Sequence, residues 1–175
     1  MIARFVSLYL RCLFALVLLL FVLTLLLQIC ALLGAINPLE EYGKDFFYCA
    51  FAILVLAFGL ARDRNVWNHE FKICPRWLQI ATLIFMIYGT VFVFVQVIYF
   101  KNSGALEIMA LLASGFFLVL ESISVCILYS LLWTGLVSVP ELTKRIRISL
   151  IMLAVCVAVI VAAHTGYLPH RSRQE

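Results

Sequence analysis

Charge is what this sequence has least of. Only 13% of its 175 residues are Asp, Glu, Lys or Arg, while 66% are hydrophobic and the mean hydropathy is +1.13. A soluble domain is about 25% charged and roughly 45–50% apolar. Too few polar side chains are present here to cover a water-facing surface. Long polar segments are missing too, so no separate soluble domain fits beside the apolar runs. The six cysteines (Cys12, Cys30, Cys49, Cys74, Cys126 and Cys156) form no CxxC and have no histidine at ligand spacing. That excludes a secreted disulfide scaffold and a zinc site, and nothing implies a cofactor. His69-Glu70 does not extend to HExxH, because Ile73 stands where the second histidine belongs. No GxxxG is present, so no specific dimer face is signalled. Neither an internal repeat nor a matched pair of broken helices points to a transporter built from inverted repeats.

What is there is a series of apolar runs, several reaching the ~18–20 residues that cross a bilayer core. In hydrocarbon an isolated strand leaves its backbone groups unpaired, so even the β-branched run VFVFVQVIYF reads as helix. The expected fold is an all-α membrane protein: a bundle of about five transmembrane helices with one short interfacial amphipathic helix. The expected spans are 11–34, 46–61, 78–100, 105–139 and 148–166. The first is longer than the ~7–15 residues of a signal-peptide core, so a retained anchor is favoured over a cleaved leader. Asn37 and Pro38 are expected to end it, because a residue before proline avoids the α region. The fourth run, at ~1.5 Å per residue, is about 52 Å long against ~30 Å of hydrocarbon. One long helix is favoured over a hairpin, since no polar turn interrupts it. The tail after 166 is read as short and mobile.

The basic residues fix the threading. The net charge of +4 is no footprint of nucleic acid, because these residues sit in short loops between apolar runs. With five spans, nine of the 13 fall on the inner side: Arg4, Arg11, Arg62, Arg64, Lys72, Arg76, Lys144, Arg145 and Arg147. Lys44, Lys101, Arg171 and Arg173 fall outside. Nine against four obeys the positive-inside rule, and the hairpin alternative gives a weaker eight against five. Trp67, Trp77 and Trp133 gather at the inner face, and Tyr42, Tyr48, Tyr99 and Tyr167 at the outer one, as interfacial belts do. The expected location is a plasma membrane of bacterial inner-membrane type, with the N-terminus cytoplasmic and the C-terminus outside.

Few positions carry candidate chemistry, and no catalytic residue is identified. Glu121 lies near the centre of the fourth run, where an acidic side chain costs about 2.5–3.5 kcal/mol. Ser114 and Ser124, at i−7 and i+3, lie on the same helical face. The carboxyl is expected to be the neutral acid and to donate a hydrogen bond. It is either a proton or ion site or, as favoured, a pin to a neighbouring helix, with Thr24, Tyr88 or Thr90 at similar depth as partners. Gln28, Gln79, Gln96, Thr82, Ser122 and Ser130 read as further glue between helices.

The polar interruption at 62–77, RDRNVWNHEFKICPRW, places Trp67, Phe71, Cys74 and Leu78 at i, i+4, i+7 and i+11. The expected element lies on the inner leaflet, apolar side in the headgroup boundary and Lys72 and Arg76 toward anionic lipid, with Trp77 at its end. Pro75 ends or bends it. Cys30 and Cys49 are both near the outer face, so a disulfide is conceivable, but small apolar fillers are the favoured reading. His164 and His170 read as surface or interfacial residues.

The functional expectation is a small multi-pass membrane protein of accessory, scaffolding or inhibitory type. Its partners are the lipid bilayer and another membrane protein or a second copy. The alternative is a small transporter or channel component centred on Glu121. An enzyme acting on lipids or quinones needs converging His, Asp or Ser groups that the sequence does not offer.

Overall fold

The computed structural model describes residues 2–32, 37–61, 71–99, 105–133 and 137–164. Five helices make up nearly all of them: α1 (Ile2–Leu32), α2 (Asn37–Leu60), α3 (Arg76–Tyr99), α4 (Ala105–Trp133) and α5 (Val139–His164). No strand occurs among the described residues. Three stretches are long and apolar enough to cross a membrane, namely Ile2–Cys30, Ala113–Trp133 and Val139–Ala162. Phe46–Leu60 and Arg76–Phe92 are apolar but shorter. The membrane class is therefore met by three helices rather than by all five of the expected spans.

Several helix boundaries differ from those expected, and proline accounts for two of them. Pro38 does not close the first helix but lies in the first turn of α2, and Pro140 lies in the first turn of α5. At the start of a helix the missing N–H is not needed and the fixed φ is already helical. The helices α2 and α5 therefore begin nine residues before the expected spans 46–61 and 148–166, at Asn37 and Val139, while the apolar part of α2 runs Phe46–Leu60. The expected 105–139 runs too far, because α4 ends at Trp133. With 29 residues α4 is about 43 Å long, a single helix rather than a hairpin. Likewise α1 begins at Ile2 and not at residue 11, since nothing in Ile2–Leu10 breaks a helix.

At the other proline the chain does bend. A helical turn at 71–73 stops at Cys74 and Pro75, and α3 restarts with the N–H groups of Leu78 and Gln79 bonding Pro75 O at 2.9 and 3.1 Å. The Gln79 side chain stitches the bend: its Nε2 donates to the carbonyls of Phe71 (2.7 Å) and Cys74 (2.8 Å), which the broken helix leaves without partners.

Helix α4 is the centre of the bundle. Within the 18-residue apolar windows of the three long helices, 67% of the residues are buried in α4, against 28% in α1 and 17% in α5. It packs against α1, α3 and α2, while α2 also pairs with α5. The directions alternate. Thr24 meets Glu121 while Gln28 meets Ser114, so α1 and α4 are antiparallel. Leu60 meets Arg145 while Leu56 meets Ser149, so α2 and α5 are antiparallel too. Phe21 against Phe85 and Gln28 against Tyr88 run α1 and α3 in the same direction. One end of the bundle thus carries the starts of α1, α3 and α5 and the ends of α2 and α4, together with Arg4, Arg76, Lys144, Arg145 and Arg147. It is called the basic end below.

The core joins Leu10, Leu13 and Val17 of α1, Leu60 of α2, Leu78 of α3, Leu128 and Leu131 of α4, and Ile146 of α5. Without a strong hydrophobic drive between helices in lipid, close approach matters more than apolarity. At Gly59 of α2 an added Cβ stands 2.9 Å from Ser149 Cα of α5, and at Gly89 of α3 it meets the Val119 side chain of α4. These two glycines let the backbones touch.

Candidate functional site

The polar side chains of α1, α3 and α4 converge on one buried cluster. Glu121, on α4, is fully buried at 0% exposure. Thr24 Oγ1, on α1, donates to Glu121 Oε1 at 2.8 Å. Of the three partners expected by depth, the structure selects Thr24. Oε1 accepts in this bond. Oε2 has no hydrogen-bond partner among the described residues.

One helical turn along α1 from Thr24, toward the end opposite the basic one, Gln28 ties three helices together. Its Nε2 donates to Tyr88 OH of α3 at 3.1 Å, and its Oε1 accepts from Ser114 Oγ of α4. Ser114 thus belongs to the cluster through Gln28 and not through Glu121. Ser124, equally buried, turns back on its own helix and donates to Leu120 O at 2.9 Å. Its place on the same face as Glu121 does not bring it into the site, because a serine inside a helix can satisfy itself one turn back. Ser122 and Ser130 do the same toward Val119 O and Ile127 O, both at 2.8 Å. Thr90, the third expected partner, is exposed and donates to Met86 O at 2.8 Å. The side chains of Gln96 and His164 lie outside what is described.

Closer to the basic end, α3 and α4 are joined by a second small group. Thr82 Oγ1 lies 3.0 Å from Cys126 Sγ, and Cys74 Sγ donates to Cys126 O at 3.4 Å. Cys74 and Cys126 are buried, Cys30 and Cys49 are exposed, and none of the four forms a disulfide.

The expected interfacial segment is only partly described, and Trp67 lies outside the described residues. Phe71, Cys74 and Leu78, the described part of the apolar stripe, pack on the helix core. The stripe's i, i+4, i+7 spacing is what a helix docked on protein also shows, and the bend at Pro75 lets it fold back. Lys72, Arg76 and Trp77 are exposed, Trp77 at 66%, and Trp133, at the same end of the bundle, is similarly exposed. Trp133 stacks on Tyr129 with ring centroids 4.6 Å apart.

One polar residue of the interior reads in the sequence only as a loop charge. Arg145 is 7% exposed; its guanidinium donates to Leu60 O, at the end of α2, at 3.2 Å and reaches Glu141 at 3.4 Å. A cation over the last carbonyls of a helix satisfies groups left without intrahelical partners and complements the helix dipole. The signal that could have found it is periodic: Leu142, Arg145, Ile146 and Ser149 recur at i, i+3, i+4 and i+7, the spacing of a buried face. Ser149 completes it, donating to Leu56 O at 2.7 Å.

Chemically, the cluster offers one carboxylate group with one occupied and one open oxygen, in a shell of neutral hydroxyls and an amide. Among the described residues no second ionisable side chain bonds to Glu121, and no three His, Cys, Asp or Glu residues stand close enough to hold a metal ion. Compared with known protein families, with curated proteins and with solved structures, the chain matches none.

Proposed function

We propose that the chain is a five-span integral membrane protein of accessory, scaffolding or inhibitory type, acting through helix contacts with other membrane proteins. Glu121 then serves as the pin that fastens α1 to α4. One observation carries the reading. All ten buried polar or charged residues among those described are hydrogen-bonded within the bundle. Seven of them bond from one helix to another, and Ser122, Ser124 and Ser130 bond back onto α4, so most interior polarity is spent on holding helices together. What remains for an activity is the apolar outer surface of α1, α3 and α5. The two shorter apolar helices join the three long ones as spans because α2 and α3 alternate in direction with their neighbours. The basic end is cytoplasmic in this reading, with the N-terminus, and the C-terminus is outside.

The open Oε2 of Glu121 favours a second reading, a proton- or ion-coupled transport component. The two separate in liposomes loaded with a pH-sensitive dye under an imposed proton gradient. The scaffold reading expects the same slow leak from the wild type and from Glu121→Gln. A wild-type flux that this variant abolishes establishes transport instead. The contact reading has its own test in living cells, photo-crosslinking from the outward-facing positions Ile87 and Val155. Discrete adducts that persist in Glu121→Gln are expected; the absence of any adduct removes it.

A further inference from the structure

The basic end holds a groove that neither the bundle's packing nor the Glu121 cluster explains. It is an open cavity of about 650 Å³ between Ile2, at the start of α1, and the first three turns of α5. That falls within the ~300–1,000 Å³ of small-ligand sites. Ile2, Val139, Pro140 and Ile148 form apolar walls, and Lys144 and Arg147 stand together in it with Thr143. The chemistry of the lining is two-sided, cationic and aliphatic at once.

The two cations are uncommitted. Lys144 and Arg147 lie at i and i+3, one turn apart on the same side of α5, and both are exposed. Neither forms an ion pair among the described residues. The nearest acid in sequence, Glu141, is engaged by Arg145 at 3.4 Å. Arg145 itself points the other way, into the bundle, where it meets Leu60 O. Along Thr143–Arg147 the helix therefore divides its basic residues between two tasks. One secures α2, and two face the groove with no acidic group in its lining. The start of α5 adds the positive end of a helix dipole.

We propose that this groove binds the phosphodiester headgroup of an anionic phospholipid, with Lys144 and Arg147 on the phosphate and the acyl chains along Ile2, Val139 and Ile148. A free phosphate ion satisfies the cations and leaves the aliphatic walls wet; a zwitterionic lipid fits the walls and brings its own cation to the pair. Only a lipid of net negative charge meets both halves of the lining. Thr143 Oγ1 donates to Val139 O at 2.8 Å and so presents no free proton of its own, which leaves recognition to the two cations. Charge, rather than headgroup shape, is what the site selects. The proposal is independent of the role given to Glu121.

The test is native mass spectrometry of the whole protein released from mixed micelles of phosphatidylglycerol and phosphatidylcholine in equal amounts. The expected result is one retained phosphatidylglycerol, preferred over phosphatidylcholine by roughly thirtyfold for two basic side chains at a membrane surface. In Lys144→Gln/Arg147→Gln the preference falls to near parity, and in Lys144→Arg/Arg147→Lys it survives. Thr143→Glu, which sets a carboxylate in the lining one turn from Arg147, removes the preference without deleting either cation and covers the case in which the double variant fails to fold. Lys72→Gln/Arg76→Gln, at the same end but outside the groove, keeps it. Inorganic phosphate at millimolar concentration leaves the adduct in place. Equal retention of the two lipids by the wild type overturns the proposal. So does a preference that outlasts loss of both groove cations, one that Lys72→Gln/Arg76→Gln removes, or displacement by phosphate.

Discussion

Two helix pairs in this bundle are held in opposite ways. Between α1 and α4 the bonds are made by side chains, Thr24 to Glu121 and Ser114 to Gln28, with Tyr88 of α3 joined to the same amide. Between α2 and α5 the backbones themselves come together at Gly59 and Ser149, and the polar side chains Ser149 and Arg145 bond to main-chain carbonyls. The first pair is specific to residue types, because each partner must supply a matching donor or acceptor. The second is specific to size, since any side chain at position 59 meets backbone. Each interhelical hydrogen bond within a membrane contributes on the order of 0.6 kcal/mol, so the three of the cluster amount to about 2 kcal/mol. Overpacking at a single tight position costs about 1–3 kcal/mol. The bundle should therefore tolerate loss of a polar bond better than gain of a methyl group where its backbones lie closest.

That ranking can be broken by measurement. The largest effect is expected from Gly59→Ala, about 3 kcal/mol in reversible unfolding from mixed micelles, because the new Cβ lies 2.9 Å from Ser149 Cα and main chain cannot rotate away. Next comes Glu121→Ala, roughly 2 kcal/mol, which opens a cavity and leaves Thr24 without its acceptor. Arg145→Met keeps the aliphatic stem and removes the cation over Leu60 O. About 1 kcal/mol is expected, the missing bond being partly offset by relief of a buried charge. The smallest effect belongs to Gly115→Ala, within ~0.5 kcal/mol, since its Cβ meets only Phe92 at an ordinary 3.6 Å. If Glu121→Ala costs more than Gly59→Ala, the contrast between size-limited and bond-limited helix pairs fails.

The polar pair is the more legible of the two in the sequence. Glu121 stands out because an acid in an apolar run is costly, and counting depth from the helix ends places Thr24 beside it. That inference survives helices that begin nine residues before the expected spans, since Thr24 and Glu121 sit deep within their runs. The boundaries mislead for a local reason: proline both ends a helix and begins one, and Pro38 and Pro140 do the latter. Arg145 misleads because a basic cluster after a proline looks like a loop; once α5 starts at Val139, the same residue falls on the buried face. The stripe through Phe71, Cys74 and Leu78 has a helical period that does not reveal whether lipid or protein lies against it. Gly59 is legible in the sequence as one of four glycines within the runs, with Gly89, Gly115 and Gly135, that allow close helix approach; that it lies against main chain is not legible, because its partner Ser149 is distant in the chain.

The central claim is that Glu121 is a structural pin on Thr24. A double-mutant cycle of Thr24→Val and Glu121→Leu, read by unfolding in mixed micelles, tests it most directly. Both substitutions keep the positions filled, so the cycle isolates the bond. The account predicts a coupling between about 0.6 and 1.7 kcal/mol. Additive effects, agreeing within about 0.3 kcal/mol, contradict it and leave the buried carboxyl without a structural role.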